Sequence, residues 1–520
     1  MHPIAGDSHK STRGLEVPHQ HPTRFDMPLP SDFLYGYATA AYQIEGGRTD
    51  GKGDSIWDIF THKPGKITND ETGDIACDSY YLYKEDVALL KEFGAGAYRF
   101  SIAWSRVIPL GGRNDPVNEA GIRYYNSLID ELLKEGIKPL VTLYHWDLPQ
   151  ALDERYGGWL NKEEVSADFQ RYARLCFERF GDRVKHWITL NEPWCASAWG
   201  YYTGRMAPGR TSDRKWSLVG DTKTEPWIVG HSLLISHAKA VKVYREEFKP
   251  SQKGQIGITL NCDWAEPYDD SPEAKDAASR RLDVSLGWFA DPVYLGYYPE
   301  SMKRMLGSRL PEFTPAEREL VLNSADFFGL NSYTTNLIKA PSSSGSSANT
   351  SDNRPPDEIP DSSTMEVLAC VLDTQTGPDG KLIGRKSEAT WLVSCPWGFR
   401  KLLRHINEKY IRDTGLVIMI TEQGFPVYRE YELPINKVVD DKDRQQYLDE
   451  YLTEVLGAVE QDGIKIGSYM VWTLIDNFEW AAGFNQRFGA AHVDHKHGCK
   501  RTPKNSGTWL KEWFGKNIAK

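Results

Sequence analysis

The strongest constraint on the fold is an alternation of short β-rich runs with amphipathic helical stretches from residue 32 onward. Several runs are apolar on both faces, which is typical of a parallel sheet covered by helices. The stretches between them, such as NEAGIRYYNSLIDELLKEG (118–136), repeat apolar residues at helical spacing. The eight predicted strands are FLYGYAT (33–39), AYRFSIAW (97–104), KPLVTLYHW (138–146), HWITLN (186–191), QIGITLN (255–261), DFFGLNSYT (326–334), LVIMITE (416–422) and GSYMVWTLID (467–476).

Eight strand–helix units predict an α/β protein built as a single (β/α)8 TIM barrel with extended loops at its C-terminal face. An open, doubly wound sheet is the structural alternative. We expect residues 1–30 to form a flexible N-terminal extension and residues 31–516 to form the barrel domain. The Ser- and Pro-rich segment 340–363 cannot pack a core, so we predict a flexible loop directly after the sixth strand.

Composition and charge exclude several classes of partner. The net charge of −10 argues against non-specific binding to nucleic acid or to an anionic membrane. The first thirty residues contain no apolar segment typical of a signal peptide, and the apolar run in GLVIMITEQG is too short to span a bilayer. Seven scattered cysteines do not indicate a disulfide framework. We therefore predict a cytoplasmic protein with no nucleic-acid or membrane partner, and leave a homo-oligomer open.

Polar and aromatic residues cluster where the predicted strands end, which is where a barrel of this type gathers its catalytic groups. A single such residue most often terminates a strand or is a satisfied polar group of the core. Seven strand ends that share the pattern are hard to explain in that way. The residues are Gln43, Arg99, His145, Trp146, Asn191, Glu192, Asn331, Tyr333, Glu422, Trp472, Glu479 and Trp480.

These residue types indicate a sugar-binding site. Sugar hydroxyls need acceptors and amide donors, and pyranose faces stack on aromatic rings. Two carboxylates at facing strand ends are what glycosidic bond cleavage requires, one to protonate the leaving oxygen and the other to attack or to activate water. Pro193 disfavours the α region for the residue before it, which predicts an extended backbone at Glu192.

A set of motifs in the same order closely resembles glycoside hydrolase family 1, with fungal intracellular β-glucosidases as the nearest likeness. The resemblance runs from about residue 30 to about residue 515. The motifs are FLYGYATAAYQIEGG, SIWD, YRFSIAWSR, LYHWDLP, TLNEPW, NSYT, ITEQG and WTLIDNFEWAAGF. The resemblance implies a single (β/α)8 barrel, no cofactor and retention of the anomeric configuration.

The implied activity is that of a retaining β-glucosidase in carbohydrate metabolism, cellulose degradation included. Such an enzyme hydrolyses terminal non-reducing β-D-glucosyl residues of cellobiose, short cello-oligosaccharides, or aryl and alkyl β-glucosides by double displacement. A β-glycosidase of broad gluco, galacto and fuco specificity remains an alternative. A non-catalytic sugar-binding relative is less favoured, because both glutamates are present.

The resemblance also assigns roles. Glu192 becomes the acid/base and Glu422 the nucleophile, while Arg99 and Tyr333 hold and tune the nucleophile and Asn331 completes the catalytic set. Trp472 becomes the stacking platform for glucose and is expected to precede a cis peptide bond. The remaining substrate contacts, with Trp194 and Trp199 at the entrance beyond the scissile bond, are Gln43, His145, Trp146, Asn191, Glu479, Trp480, Phe488, Trp194 and Trp199.

Three further hypotheses are not favoured by the residues. A 6-phospho-β-glycosidase would need a cationic clamp where Glu479 stands, and a thioglucosidase would have no use for Glu192. The segment HVDHKHGC (492–499) matches no common zinc spacing, so no metal is predicted. Two positions depart from the family pattern, because Gln423 replaces the usual Asn and Thr473 the usual Ser.

Overall fold

Eight parallel strands form a closed barrel in the computed structural model, which describes residues 28–341 and 368–519. Each strand pairs with its neighbours in the sequence, and the last pairs with the first. The predicted (β/α)8 barrel is confirmed, and closure excludes the open sheet. The strands are β1 (Leu34–Ala38), β2 (Ala97–Ser101), β3 (Lys138–Tyr144), β4 (His186–Asn191), β5 (Gln255–Asn261), β6 (Phe328–Asn331), β7 (Ile418–Gln423) and β8 (Ile466–Trp472).

Helices follow each strand along the chain. The principal ones are α1 (Ser79–Glu92), α2 (Glu119–Lys134), α3 (Lys162–Phe180), α4 (Glu225–Val243), α5 (Pro272–Leu282), α6 (Pro396–Ile406), α7 (Lys442–Glu460) and α8 (Asn505–Asn517). Shorter α-helices are Ala41–Ile44, Ile56–Thr61, Trp104–Val107, Gln150–Tyr156, Pro193–Tyr201, Lys249–Gln252, Trp288–Ala290, Glu300–Leu306, Pro315–Val321 and Ile435–Val438. Tighter or wider helical turns are Thr68–Asp70, Gly158–Leu160, Tyr244–Phe248, Asp283–Gly287, Asp291–Leu295, Gly307–Arg309, Asn407–Ile411, Glu430–Glu432 and Trp480–Ala482.

The helix α2 shows why these segments fold as the sequence predicts. The side chain of Asn118 caps its first turn by accepting a hydrogen bond from the N–H of Ala120. Its buried residues recur three and four positions apart, so one face packs on the barrel. Those residues are Gly121, Ile122, Tyr124, Tyr125, Leu128, Ile129 and Leu132.

Small sheets outside the barrel connect segments that follow different strands. Trp264–Pro267, after β5, pairs with Thr335–Lys339, after β6, which in turn pairs with Leu372–Thr374. Two short antiparallel pairs join Arg385–Lys386 to Val393–Ser394 and Ala491–Asp494 to Lys500–Pro503. The three-stranded sheet therefore fixes the segments that extend beyond β5 and β6.

The first described residues lie against the end of the C-terminal helix α8. Leu29 is fully buried, and its N–H donates to the carbonyl of Asn517 at 2.7 Å. The predicted N-terminal extension as far as residue 27, and positions 342–363 of the predicted loop, lie outside the described residues. Within 28–341 and 368–519, none of the helices is long and apolar enough to cross a bilayer.

A buried ion network ties the segment after β8 to α7 and to the approach to α8. The Nζ of Lys504 lies 2.8 Å from Glu430 and 2.8 Å from Asp476, and all three side chains are almost completely buried. Arg444, on α7, bonds Glu430 at 2.8 Å and Asp441 at 2.6 Å. Burial raises the pKa of Asp476, but Lys504 and the other partners outweigh burial and hold that pKa well below its ordinary value.

We predict that Lys504→Met lowers the melting temperature substantially, because it leaves Glu430 and Asp476 buried with less compensation. Breaking a buried ion pair from one side costs roughly 3–5 kcal/mol. Thermal unfolding followed by circular dichroism at pH 7 measures the effect. The exposed Lys496→Met serves as the matched control and should unfold close to the parent. Equal melting temperatures for the two variants would contradict a stabilising role of the network.

Candidate active site

A cavity of about 850 Å³ opens at the C-terminal ends of the barrel strands, within the usual range of ligand pockets. Two of the fifteen predicted site residues, Gln43 and Arg99, are hydrogen-bonded to Glu479 and Glu422, which line the cavity. The other thirteen line the cavity itself. They are His145, Trp146, Asn191, Glu192, Trp194, Trp199, Asn331, Tyr333, Glu422, Trp472, Glu479, Trp480 and Phe488.

Glu422, on β7, is paired with a buried cation. The Nη1 of Arg99, on β2, lies 2.5 Å from one carboxylate oxygen, and the hydroxyl of Tyr333 donates to the other at 2.7 Å. Glu422 is 3% exposed and Arg99 is 1% exposed. Burial raises the pKa of Glu422 above its ordinary value, and the charge of Arg99 and the bonds from Tyr333 and Arg99 offset only part of that rise. These bonds favour the ionised carboxylate.

Glu192 lies at the turn between β4 and the helix Pro193–Tyr201. Its φ of 44° and ψ of 64° are left-handed, so the predicted extended backbone is wrong. Pro193 instead begins the helix, a position where its missing N–H costs no hydrogen bond. The N–H of Glu192 still donates to the carbonyl of Thr259, on the neighbouring strand β5. The chain therefore turns within one residue, and this turn places the carboxyl group on the cavity wall.

Within residues 28–341 and 368–519, no Lys, Arg or His forms an ion pair with Glu192. The Nδ2 of Asn331 donates to Oε1 at 2.6 Å, and the thiol of Cys195 donates to Oε2 at 3.0 Å. Burial and the nearby Glu422 charge raise the pKa of Glu192 to about 8, against the lowering effect of both hydrogen bonds. Glu192 is therefore mostly protonated at neutral pH.

Asn191 connects several of these groups. Its Oδ1 accepts from Arg99 at 2.6 Å and from Asn331 at 3.1 Å, which leaves Nδ2 to donate to the Nε2 of His145 at 3.0 Å. Burial, followed by the charge of Arg99, lowers the pKa of His145 well below its ordinary value. The imidazole is therefore neutral and can accept this bond.

Gln43 and Glu479 form a second polar group in the site. The Nε2 of Gln43 donates to the carbonyl of Phe478 at 2.9 Å and to the Glu479 carboxyl group at 3.3 Å. Within the described chain, the buried Oε1 of Gln43 has no hydrogen-bond partner. Burial and the charge of Glu422 raise the pKa of Glu479 to about 8. Both groups can thus exchange hydrogen bonds with a polyhydroxylated ligand.

Aromatic side chains enclose the same end of the cavity. The ring centroid of Trp480 lies 4.5 Å from that of Trp57 and 4.6 Å from that of Trp146. The rings of His145 and Trp472 are stacked, with their centroids 5.9 Å apart. The peptide bond from Trp472 to Thr473 is cis, which confirms the prediction.

The two residues after Glu422, Gln423 and Gly424, contact the segments next to β7. The Nε2 of Gln423 donates to the carbonyl of Ser332 at 3.1 Å. A Cβ at Gly424 would come within 1.8 Å of the carbonyl oxygen of Trp472, so only glycine fits against β8 here. Gln423 therefore links β7 to the segment after β6 from inside the core.

Sequence reasoning passed over the end of β5, the one strand end from which it took no site residue. Asn261, Cys262 and Asp263 all line the cavity, and so does Arg281 at the end of α5. The run TLNCDW has the same polar ending as the other strands, and that signal was available. Trp194 and Trp199 lie in the helix Pro193–Tyr201, directly after β4.

No cluster of three or more His, Cys, Asp or Glu side chains suited to a metal ion occurs in residues 28–341 and 368–519. The three histidines of 492–499 have three different hydrogen-bond partners. His492 contacts Asp476, His495 contacts the carbonyl of Ala76, and His497 contacts Asp494.

Comparison with known proteins gives one consistent result. The model of glycosyl hydrolase family 1 matches residues 25–518. Beta-glucosidase 1B of Phanerodontia chrysosporium is 53% identical over 94% of this chain and 86% of its own. Beta-glucosidase 42 of Arabidopsis thaliana is 46% identical over 96% of each chain.

Solved structures agree with these sequences. A GH1 beta-glucosidase from the fungus Humicola insolens, in complex with glucose, superposes with a TM-score of 0.89 at 48% identity, covering 95% of this chain and all of the other. The beta-glucosidase from Trichoderma harzianum superposes with a TM-score of 0.88 at 46% identity, covering 96% and 100%. This chain belongs to glycosyl hydrolase family 1.

Proposed function

We propose that this protein is a retaining β-glucosidase that removes terminal non-reducing β-D-glucosyl residues, with Glu422 as nucleophile and Glu192 as acid/base. The observation that carries the proposal is the contrast between two buried carboxyl groups in one cavity. Arg99 and Tyr333 bind Glu422 and favour its charge, whereas Glu192 accepts from the Asn331 amide and the Cys195 thiol and has a pKa of about 8. Relatives named beta-glucosidase support the glucoside as substrate.

In the first step, ionised Glu422 attacks the anomeric carbon while protonated Glu192 donates its proton to the departing oxygen. Glycosylation neutralises Glu422, which removes the charge that raised the pKa of Glu192. In the second step, Glu192 is therefore ready to accept a proton from water. The water attacks the anomeric carbon from the face that the aglycone left, and the bond to Glu422 breaks to release β-glucose and the Glu422 carboxylate. Two displacements give net retention, and we expect the carboxyl groups to lie about 5–5.5 Å apart.

The remaining groups of the site suit the glucosyl unit. We assign Gln43, His145, Asn191 and Glu479 to its hydroxyl groups, supported by the unpartnered Oε1 of Gln43. Trp472 supplies the stacking face, with Trp146, Trp480 and Phe488 around it. Trp194 and Trp199 wall the entrance. Asn331 orients Glu192 through its 2.6 Å bond.

We also propose that the enzyme acts in the cytoplasm. Six buried cysteines in the described part of the chain have free thiols. Unpaired thiols in this number suit a reducing compartment better than a secretory one.

We predict that Glu422→Ala lowers turnover of p-nitrophenyl β-glucoside by roughly 10⁶-fold, the scale seen when a catalytic nucleophile is removed. Azide should restore activity, because it can occupy the space of the lost carboxylate and attack the anomeric carbon directly. Proton NMR of the product should then show an α-configured glucosyl azide. A β-configured azide would overturn the assignment of Glu422.

We predict that Glu192→Ala separates substrates by their leaving groups. Cellobiose needs a proton on its departing oxygen and should lose about 10²–10⁴-fold in kcat/KM, the usual contribution of a general acid. The dinitrophenolate of dinitrophenyl β-glucoside leaves without protonation. The initial burst of dinitrophenolate, which reports glycosylation of Glu422, should therefore persist. Stopped-flow absorbance measures it. Equal losses on both substrates would argue against an acid role.

We predict that Cys195→Val moves the basic limb of kcat/KM to higher pH. Activity falls as Glu192 loses its proton, and the thiol bond lowers the pKa of Glu192, so its removal should raise that pKa by about 0.4–1 unit. Cys195→Ser keeps a donor and should stay near the parent. Cys176→Val, buried in α3, is the matched control. The idea fails if both valine variants give the same pH profile.

A further inference from the structure

The hydroxyl of Tyr333 contacts the nucleophile from a segment that is no longer part of the barrel sheet. The strand β6 ends at Asn331, and Tyr333 lies two residues beyond it. The hydroxyl donates to Glu422 at 2.7 Å. The place of this hydroxyl therefore depends on what fixes the backbone of Tyr333.

Three side chains from distant parts of the chain bond that backbone. Asp263 accepts from the N–H of Tyr333 at 2.8 Å and from the N–H of Thr334 at 3.0 Å. On the other side, the carbonyl of Tyr333 accepts from the hydroxyl of Tyr447 at 2.8 Å and from that of Tyr451 at 3.0 Å. A carbonyl oxygen has two lone pairs, so the two hydroxyls use both.

Tyr447 and Tyr451, called the tyrosine pair below, lie four residues apart on α7 and are completely buried. This spacing places them on the same face of the helix. Their rings are stacked with centroids 4.2 Å apart, and the ring of Phe425 is stacked on Tyr447 at 5.0 Å. Phe425 follows Glu422 on the chain that leaves β7. The pair thus contacts the segment of Tyr333 and the segment after the nucleophile together.

Packing alone does not require the two hydroxyls. Phenylalanine would fill the same space and keep the same ring stacking, and one donor is enough to satisfy a buried carbonyl. A buried hydroxyl without a partner costs free energy, so each hydroxyl has to meet an acceptor. The hydroxyl of Tyr451 also accepts from the N–H of Cys395 at 3.2 Å, and so connects the start of α6 to Tyr333.

Neighbouring rings hold the side chain of Tyr333 itself. Trp391 and Phe488 each meet its ring edge to face, with centroids 5.6 Å and 6.1 Å away. These contacts set the direction of the ring, while the tyrosine pair sets the position of the backbone from which the ring extends. Because a hydrogen bond weakens steeply as its geometry departs from the optimum, both are needed to keep the hydroxyl on Glu422.

We propose that Tyr447 and Tyr451 are positioning residues for the reaction, and that they keep the hydroxyl of Tyr333 on the nucleophile by holding the carbonyl of Tyr333. The proposal rests on the β-glucosidase activity and on the role of Glu422 proposed above. Neither member of the tyrosine pair is among the residues that line the cavity, so the pair acts through Tyr333.

The expected consequence is a change in the ionisation of Glu422. Burial raises the pKa of Glu422, and the bond from Tyr333 is one of the contacts that oppose this rise. A less firmly placed hydroxyl should raise that pKa further, and activity is then lost first at acidic pH, because only the ionised carboxylate attacks. The other charged groups that face Glu422 are Arg99 on β2, Glu192 after β4 and Glu479 after β8, and substitution of the pair leaves all three in place.

The test is the double variant Tyr447→Phe/Tyr451→Phe, which removes both hydroxyls and keeps both rings. On p-nitrophenyl β-glucoside we expect the optimal kcat/KM to fall about 2- to 10-fold and the acid limb to move up by about 0.4–1 pH unit, the effect of weakening one hydrogen bond. The basic limb, which reports Glu192, should stay in place. Each single variant leaves one donor on the carbonyl and should move the acid limb in the same direction by less, so the single variants carry the test if the double variant does not fold.

A Tyr333→Phe background separates positioning from a purely structural role. Without the hydroxyl of Tyr333 the pair has nothing to position, so adding the double substitution should change kcat/KM by less than about two-fold and leave the acid limb where it is. Tyr294→Phe is the matched control, because the hydroxyl of Tyr294 donates at 2.9 Å to the carbonyl of Phe327, at the opposite end of β6. This control should keep both limbs of the parent profile, whatever its melting temperature.

Three results would overturn the proposal. The first is an acid limb that does not move in the folded single and double variants. The second is an equal shift in the parent and Tyr333→Phe backgrounds, and the third is an equal shift in Tyr294→Phe, since either would make the hydroxyls structural ties alone. Failure of the parent to hydrolyse p-nitrophenyl β-glucoside would instead refute the proposed β-glucosidase activity.

Discussion

The buried guanidinium of Arg99 is the interaction on which the geometry of the site depends. It extends from β2 and bonds Thr142 on β3, Asn191 on β4, and Thr421 and Glu422 on β7. One side chain therefore spans the barrel mouth and fixes the distances between strand ends. This cation opposes the rise in pKa that burial causes at Glu422, because an unpaired buried charge is very costly.

Two identical carboxyl groups acquire different properties from this arrangement. Arg99 bonds Glu422 directly and reaches Glu192 only through Asn191 and Asn331. Since both carboxyl groups are buried close together, the charge on Glu422 disfavours a second charge on Glu192. A shared environment that separates two pKa values in this way is a recurrent device for dividing acid and nucleophile roles. Asn331 contributes because it contacts Glu192 without adding charge.

The sequence was sufficient to predict all eight strands, because each is a short apolar run with polar ends. The second, sixth and eighth strands were predicted too long. The sixth ends at Asn331, and beyond it the N–H of Tyr333 bonds the distant Asp263. The backbone of Glu192 was predicted wrongly for a related reason. The local preference of a residue before proline is outweighed there by the bond to Thr259 and by the start of a helix at Pro193. In both places a partner remote in sequence decided the conformation.

The same contrast between local sequence and remote partners applies to the cavity: local motifs place the carboxyl pair, and remote contacts shape the rest of the lining. The motifs TLNEPW and ITEQG place Glu192 and Glu422 at strand ends, and an eight-stranded barrel brings strand ends together whatever its loops contain. The cavity lining contributed by the segments after β5 and β6 has no such local signature. Asp263 meets Tyr333 across 70 positions and Arg281 meets Asp373 across 92, through a small sheet outside the barrel. Strand ends thus place the carboxyl pair, while segments inserted after β5 and β6 form part of the cavity around it.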